Sequence, residues 1–241
     1  MPTWAFNDAG IYIDSLDLTG LSNSGRLTCE GTVLDRSNFR SGSWNESIMG
    51  AKTSTLAAAG QADMAVGSTD DWQFANLGAT GRVVTIAGRE TEADVAYMLQ
   101  SMPTNFQVGG DWNTIAPYTL NGVCSDAVGV IRGAVFCEAK TVSATGALGT
   151  AVQLGAVSAT QFAYSTIHLM GTAGTSITVV IESAAASDFA GAATRITHGS
   201  HTTVGGRWGL RAAGSITNTW WRARVSAVSG TWVVGVAAGI Q

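Results

Sequence analysis

Charged side chains are scarce in this chain: Asp, Glu, Lys and Arg make up 12% of its 241 residues, about half of the usual ~25%. Charge keeps protein surfaces hydrated and mutually repulsive, so a surface this poor in it suits a subunit covered by other subunits better than a free monomer. Neither half holds a dense basic patch interleaved with aromatics, which leaves direct gripping of nucleic acid unsupported. Three cysteines, Cys29, Cys124 and Cys137, have no metal-ligand spacing and cannot all pair. They read as small buried hydrophobes of a reducing compartment. No run of about 18 apolar residues is present, so no membrane-spanning helix is expected. The first eight residues lack a basic region followed by an apolar one, so no secretory signal is expected either.

The motifs of catalysis are missing as well. No Gly-x-Ser-x-Gly elbow surrounds Ser43, and neither a P-loop nor a Gly-x-Gly-x-x-Gly fingerprint follows a strand. His198 and His201 lie three apart in a Gly/Ser/Thr-rich stretch without a nearby Cys, Asp or Glu, and read as residues of a solvated turn. His168, within Thr166-Ile167-His168-Leu169-Met170, reads as a strand-face residue. Asp70-Asp71 reads as an acidic turn, because a catalytic pair would need a pocket that nothing announces. No enzyme activity, metal or cofactor is called for.

What is abundant is the material of β-structure. Hydrophobic residues make up 46% of the chain, with eight Trp and thirty Gly. Short β-branched or aromatic runs at 11–13, 26–34, 53–59, 82–87, 127–135, 166–170, 177–181, 220–225 and 231–236 are separated by Gly, Ser, Asn or Asp, the pattern of a mainly β protein. The best helix signal is at 91–101: Thr91 can cap it, Glu92 and Asp94 occupy its first turn, Val95, Met98 and Leu99 share a face, and Pro103 follows. Residues 188–197 read as a shorter helix or an irregular crossover. Two stretches read as long excursions, the polar 35–50 with its aromatics and the uncharged 141–155.

Two segments echo each other. Gly109-Gly110-Asp111-Trp112 precedes Gly133-Ala134-Val135-Phe136 much as Gly205-Gly206-Arg207-Trp208 precedes Gly230-Thr231-Trp232-Val233-Val234. A β-branched run precedes each tetrapeptide, at 83–86 and at 177–181. The echo suggests one unit used twice, divided as 1–123 and 124–241. The halves differ in sign: residues 1–120 hold 13 acids and 6 bases (net −7), residues 121–241 hold 4 acids and 7 bases (net +3). Opposite signs suit contacts between subunits, and uneven loop composition accounts for them equally well. Trp220-Trp221-Arg222 is the densest aromatic cluster. In a strand its two indoles point to opposite faces, one into a sandwich core and the other toward a partner. Trp44, in its long excursion, is the better interface candidate.

The run Asp14-Ser15-Leu16-Asp17-Leu18-Thr19-Gly20, the following strand, and then Asp35 through Ser43-Trp44-Asn45-Glu46-Ser47-Ile48-Met49-Gly50-Ala51-Lys52 resemble the opening of major tail tube proteins of long, non-contractile-tailed bacteriophages. In those proteins Gly and Leu are more usual where Ser43 and Ala51 stand here. The segment Glu92 to Met98 and the closing strand around Trp220-Trp221-Arg222 are similar to such proteins as well. The resemblance implies two tandem tail-tube-like β-sandwich domains, each with a short helix or crossover, joining those of neighbours into a β-barrel lumen. It implies a structural virion protein that stacks as rings into the conduit for genome delivery, assembled in the host cytoplasm. The expected partners are copies of itself, in trimeric pseudo-hexameric rings or alternatively hexamers, the tape measure and tail terminator proteins, and DNA passing without specific binding. Expected interface residues are Phe39, Trp44, Asn45, Glu46, Ile48, Met49, Trp220 and Trp221; expected lumen-facing acids are Asp70, Asp71 and Asp94. The alternative is a capsid or tail decoration or a carbohydrate-binding β-sandwich module.

Overall fold

A computed structural model describes residues 8–38, 40–41 and 44–241. Its first half contains β1 (Gly10–Ile13), β2 (Leu16–Asp17), β3 (Ser22–Asp35), β4 (Ser47–Gln61), the helix α1 (Thr69–Asn76), β5 (Arg82–Ala87), β6 (Val95–Pro103) and β7 (Pro117–Cys124). Antiparallel pairing runs β2-β1-β5-β6-β7-β4-β3. The ends of this sheet come close: the Ser22 amide donates to Leu18 O (2.8 Å) and the Gln61 amide to Leu21 O (2.9 Å). The result is a nearly closed barrel whose alternating inward residues, among them Ile13, Leu56, Val84, Leu99 and Leu120, share one core with Trp72 of α1.

The second half forms a sandwich from β8 (Ile131–Val142), β9 (Gly146–Val152), β10 (Phe162–Met170), β11 (Ser176–Ala184), β12 (Ala193–His201), β13 (Gly205–Trp208), β14 (Ala212–Ala213), β15 (Trp220–Ser229) and β16 (Trp232–Ile240). One layer is β13-β10-β16-β8, which continues the barrel sheet because β8 pairs with β6. The other is the separate sheet β12-β11-β15-β9. Phe136, Ile167, Leu169 and Trp232 of the first layer meet Val179, Ile181, Trp221 and Val225 of the second, the interdigitation expected of packed sheets. Strand β10 is buried along nearly its whole length because its other face packs on the barrel. Each half thus has its own core, drawn from residues 11–130 and 136–240. A third cluster containing Met98, Ile131, Val135, Tyr164 and Ala237 joins them.

The mainly β expectation holds, and several local ones do not. Residues 95–103 are a strand, not a helix: Val95, Met98 and Leu99 do fall at helical spacing, but β5 and β8 flank this segment and satisfy its backbone, and tertiary pairing overrides so weak a periodic signal. The capping-like Thr91 to Asp94 is a tight turn, with the Asp94 amide on Thr91 O (3.1 Å). The helix is at 69–76 instead, with Asp70 and Asp71 in its first turn, where acids favour the helix dipole. The excursion at 141–155 contains edge strand β9, and 193–201 is edge strand β12. His198 is therefore no turn residue: it is buried and bonded to Ser165 Oγ (2.9 Å). Only Cys137 of the three free cysteines is buried, and burial pushes its thiol up to about 12.

The echoing tetrapeptides differ in conformation. Gly109 to Trp112 lies in the irregular connection between β6 and β7, whereas Gly205 to Trp208 is β13, paired with β10. Trp112 is 94% exposed, while Trp208 is partly buried beside Tyr164. Composition alone made the segments look alike. The expected division at 123/124 falls at the end of β7, between two halves that share one sheet.

Candidate inter-subunit interface

The β3–β4 hairpin projects beyond the barrel. Strand β4 pairs with β7 only from Thr55 to Gln61, so its residues 47–54 pair with β3 alone among the described residues. At ~3.3 Å per residue this free part extends about 25 Å. The sequence changes where support ends. Residues 54–60 of β4 alternate, with Ser54, Leu56, Ala58 and Gly60 buried, while residues 47–53 are exposed on both faces apart from the half-buried Gly50.

The exposed part is nevertheless apolar. Val33 stands opposite Met49 and Leu34 opposite Ile48, so each face of the arm carries a hydrophobic pair. Glycines make these pairs flat: the Met49 side chain lies over Gly31, where a Cβ would collide with its sulfur, and that of Leu34 lies over Gly50, where a Cβ would be a tight fit at 3.1 Å. A bulge between Gly31 and Val33 adds local twist. The tip is tied by its own polar groups, with the Arg36 amide on Glu46 O (2.8 Å), the Glu46 amide on Ser37 Oγ (2.9 Å) and the Ser37 amide on Asp35 Oδ1 (2.7 Å). Hydrogen bonds from the Ser37 hydroxyl and then from its amide hold the Asp35 carboxyl below its ordinary range. From this tip Trp44 projects, 82% exposed.

A second apolar surface lies at the other end of the hairpin. There α1 and the 104–116 connection pack together through an edge-on contact of Phe74 with Phe106 (5.3 Å). They leave Met64, Phe74, Leu77, Val108, Trp112 and Ile115 exposed. With Val66, twelve of the thirteen exposed large hydrophobics among the described residues belong to the first half; the other is Leu210. Scattered apolar residues are normal on a surface, but concentrations of this kind mark contact sites.

Of the expected interface residues, Trp44, Asn45, Glu46, Ile48 and Met49 are all exposed on the arm. Phe39 lies outside the described residues, as do Gly42 and Ser43. Trp221 must be withdrawn: it is fully buried, and its indole donates to Gly155 O (2.9 Å). Trp220 points the other way and is half-buried, as strand alternation requires. The three acids expected to share a lumen are not brought together. Asp70 and Asp71 begin α1, near the Pro103 end of β6, whereas Asp94 lies just before β6 begins and pairs with Arg89 (2.8 Å). The contribution of α1 and 104–116 escaped sequence reading, although Trp112 between Asp111 and Asn113 was visible there.

Polar groups clamp the barrel to the sandwich. His168 is fully buried in β10, with Nδ1 3.0 Å from Asp14 O and Nε2 2.9 Å from Thr85 Oγ1. A carbonyl only accepts, so Nδ1 of the neutral ring carries the hydrogen, Thr85 donates to Nε2, and Thr166 donates to Thr85 (2.8 Å). Burial pushes the imidazole down to about 4, although the Asp14 carbonyl pulls the other way. The Asp14 carboxylate accepts from the Val83 amide (3.0 Å) and from Arg82 (3.3 Å). Burial still raises it above the ordinary carboxylate range. Tyr12 donates to Glu90 and accepts from the Ala139 amide (3.2 Å), while Lys140 reaches Glu92 (3.2 Å). The Thr–His arrangement is sealed from solvent, so it holds the halves together and offers no site to a substrate. Among the described residues no three His, Cys, Asp or Glu side chains converge as a metal site.

No family model matches the sequence, and no curated protein matches it. Among solved structures, a chain in the virion of a native gene transfer agent particle is 18% identical with a TM-score of 0.41, covering 52% of this chain and 96% of that one. A chain in the tail of an empty gene transfer agent particle, refined with C6 symmetry, is 19% identical with a TM-score of 0.38, covering 48% of this chain and 90% of that one. The crystal structure of the phage SPP1 Dit protein (gp 19.1), described as a hub adsorption apparatus protein, is 10% identical with a TM-score of 0.34, covering 97% and 99%.

Proposed function

We propose that this chain is a structural protein of a phage tail, polymerising with copies of itself into stacked rings that form a tube for genome delivery. The observation that carries the proposal is the β3–β4 arm, whose strands are apolar on both faces and are not covered there by any other element among the described residues. A hairpin of this kind is not stabilised by its own barrel, and burial of a single large aromatic such as Trp44 against a neighbour contributes about 4 kcal/mol before ordering costs. The outer edge of β3 has no partner strand among the described residues, and ring closure or stacking satisfies an open edge of this kind. The choice of a tail tube among self-assembling β proteins comes from the sequence resemblance around Asp14 to Gly20 and Trp44 to Lys52.

The bore is proposed to be net negative, so that DNA phosphates pass without sticking. The basic second half is compatible with this, because Arg222 and Arg224 both engage the buried carboxylate of Glu182 (2.9 and 2.6 Å). A trimeric ring, with barrel and sandwich each taking one of six positions, draws support from the two separate cores; it draws none from the tetrapeptide echo. A hexamer is the other arrangement, and the tape measure and terminator proteins are the proposed tail partners. Negative-stain microscopy of the purified full chain is the test: rings or filaments are expected, with class averages counting copies per ring. A persistent monomer that binds sugars on a glycan array would replace the proposal with a carbohydrate-binding module. Imaging of Arg222 and Arg224 on the bore wall would remove the electrostatic mechanism.

A further inference from the structure

Independently of how copies assemble, we infer that the open mouth of the barrel binds a free single-chain carboxylate amphiphile, a molecule of the fatty-acid class. The mouth exists because the sheet forks at β6. Along one edge of that strand β7 pairs with Ser101 to Pro103 and β8 with Val95 to Met98, and the connection 125–130 separates the two partners. One branch runs on through β7 and β4 to β3, the other through β8 into the sandwich. Where the branches part, Leu27 of β3 faces Ile86, Val95, Tyr97 and Val130 across a cavity of about 730 Å³.

The chemistry of the wall sets the ligand. A cavity of this size at a barrel mouth, apolar apart from a few polar groups, has the form of a small-molecule site. Ile86 is buried, whereas Leu27, Val95, Tyr97 and Val130 stay partly exposed, so an aliphatic chain laid along them removes apolar surface from water. The lining carries one charged side chain, Arg132, and no carboxylate. Arg132 stands opposite Tyr97 in the ladder and is exposed; it makes no hydrogen bond or ion pair with the described residues. A guanidinium left unengaged beside an apolar cleft favours a planar anionic head, since a carboxylate accepts two parallel N–H bonds from it. The cavity is a recess between strands and not a flat face, which suits one chain from solution better than a bilayer surface.

The test uses the full chain with dodecanoate below its micelle concentration. Saturable binding of one dodecanoate per chain is expected in equilibrium dialysis. A diazirine-bearing dodecanoate, mapped by mass spectrometry after irradiation, should label peptides that carry Leu27, Val95, Tyr97 or Val130. Arg132→Ala, at an exposed position, should weaken dodecanoate binding about tenfold through the lost charge-assisted bonds and leave binding of the neutral dodecanol unchanged. Val95→Trp should remove both by filling the cavity, with circular dichroism checking that the variant is folded. Absence of saturable binding, labels elsewhere on the chain, or dodecanoate binding that Arg132→Ala leaves intact overturns the inference. So does flotation of the chain with phosphatidylglycerol vesicles in place of dodecanoate uptake, which assigns the mouth to a bilayer, or binding that appears only once assemblies are dissociated, which assigns it to a second copy. Ring counting by microscopy is a separate measurement, so failure here leaves the proposed function standing.

Discussion

The barrel and the sandwich use similar hydrophobic residues in opposite ways. The sandwich buries its own: Trp221 and Trp232 are completely enclosed, and Leu210 is its one exposed large hydrophobic among the described residues. The barrel half encloses Leu56 and Leu99 but presents Val33, Trp44, Met49, Trp112 and Ile115 to solvent. It also carries the acidic excess of the chain, 13 acids to 6 bases. The difference teaches that a hydrophobic residue stabilises the fold only where a second layer covers it. Beyond that layer, the same residue type stays exposed to solvent.

The contrast is broken most strongly from the sandwich side. Trp221→Ala empties a fully buried site and leaves Gly155 O unpaired, and should cost about 3–5 kcal/mol in urea denaturation; a loss under ~1 kcal/mol would mean the sandwich core is not the anchor of the fold. Acid attacks the same half. Burial holds His168 and His198 neutral down to about 4, whereas in the unfolded chain they protonate near 6.5. Between these values the unfolded state binds more protons, so the contribution is complete above about pH 6.5 and is lost toward pH 4, by up to about 3 kcal/mol per imidazole. Asp14 and Glu90, raised by burial, act in the opposite sense and reduce the net fall. The urea midpoint should therefore be lower at pH 4.5 than at pH 7, and a higher one would show the carboxyls to dominate.

The joint between the halves is the next place to press. A Cβ at Gly206 would lie 2.7 Å from Val83 Cβ and 2.9 Å from Asp14 Cα, so Gly206→Val should cost about 1–3 kcal/mol by forcing β13 away from the barrel. Retention of full stability in calorimetry would show that the interface between halves is loose. The smallest effect on folding belongs to the arm: Trp44→Ser should change monomer stability by no more than ~0.5 kcal/mol while removing assembly as seen by microscopy. An equal loss of folding stability from Trp44→Ser and Trp221→Ala would erase the distinction between the two regions.

The strands most readable from sequence were those with β-branched runs bounded by turn residues, such as Arg82–Ala87 and Ile177 to Ile181. Strand β6 was misread because Val95, Met98 and Leu99 satisfy helical spacing; only the flanking β5 and β8 distinguish the two. His198 looked solvated among Gly, Ser and Thr, yet Ser165 of another strand gives it a buried partner. On the arm, Trp44, Ile48 and Met49 were legible as aromatic and aliphatic residues in a long polar excursion. The patch on α1 was not, because eight residues with one buried Trp give little periodicity and its exposed partners come from a connection thirty residues later.

By itself the sequence determined a mainly β chain, an acidic first half and a basic second, a charge density low enough to call for covered surfaces, and an exposed segment around Trp44. These follow from local properties: backbone preference, side-chain polarity and turn chemistry act within a few residues. Only the tertiary structure decided that the halves share a sheet, that Gly109 to Trp112 and Gly205 to Trp208 part company, that Trp221 faces inward and Trp220 outward, and that two apolar surfaces cap the ends of one hairpin. The physical reason is that burial and strand pairing are properties of partners distant in sequence, and a residue's role is set by what the folded chain brings against it.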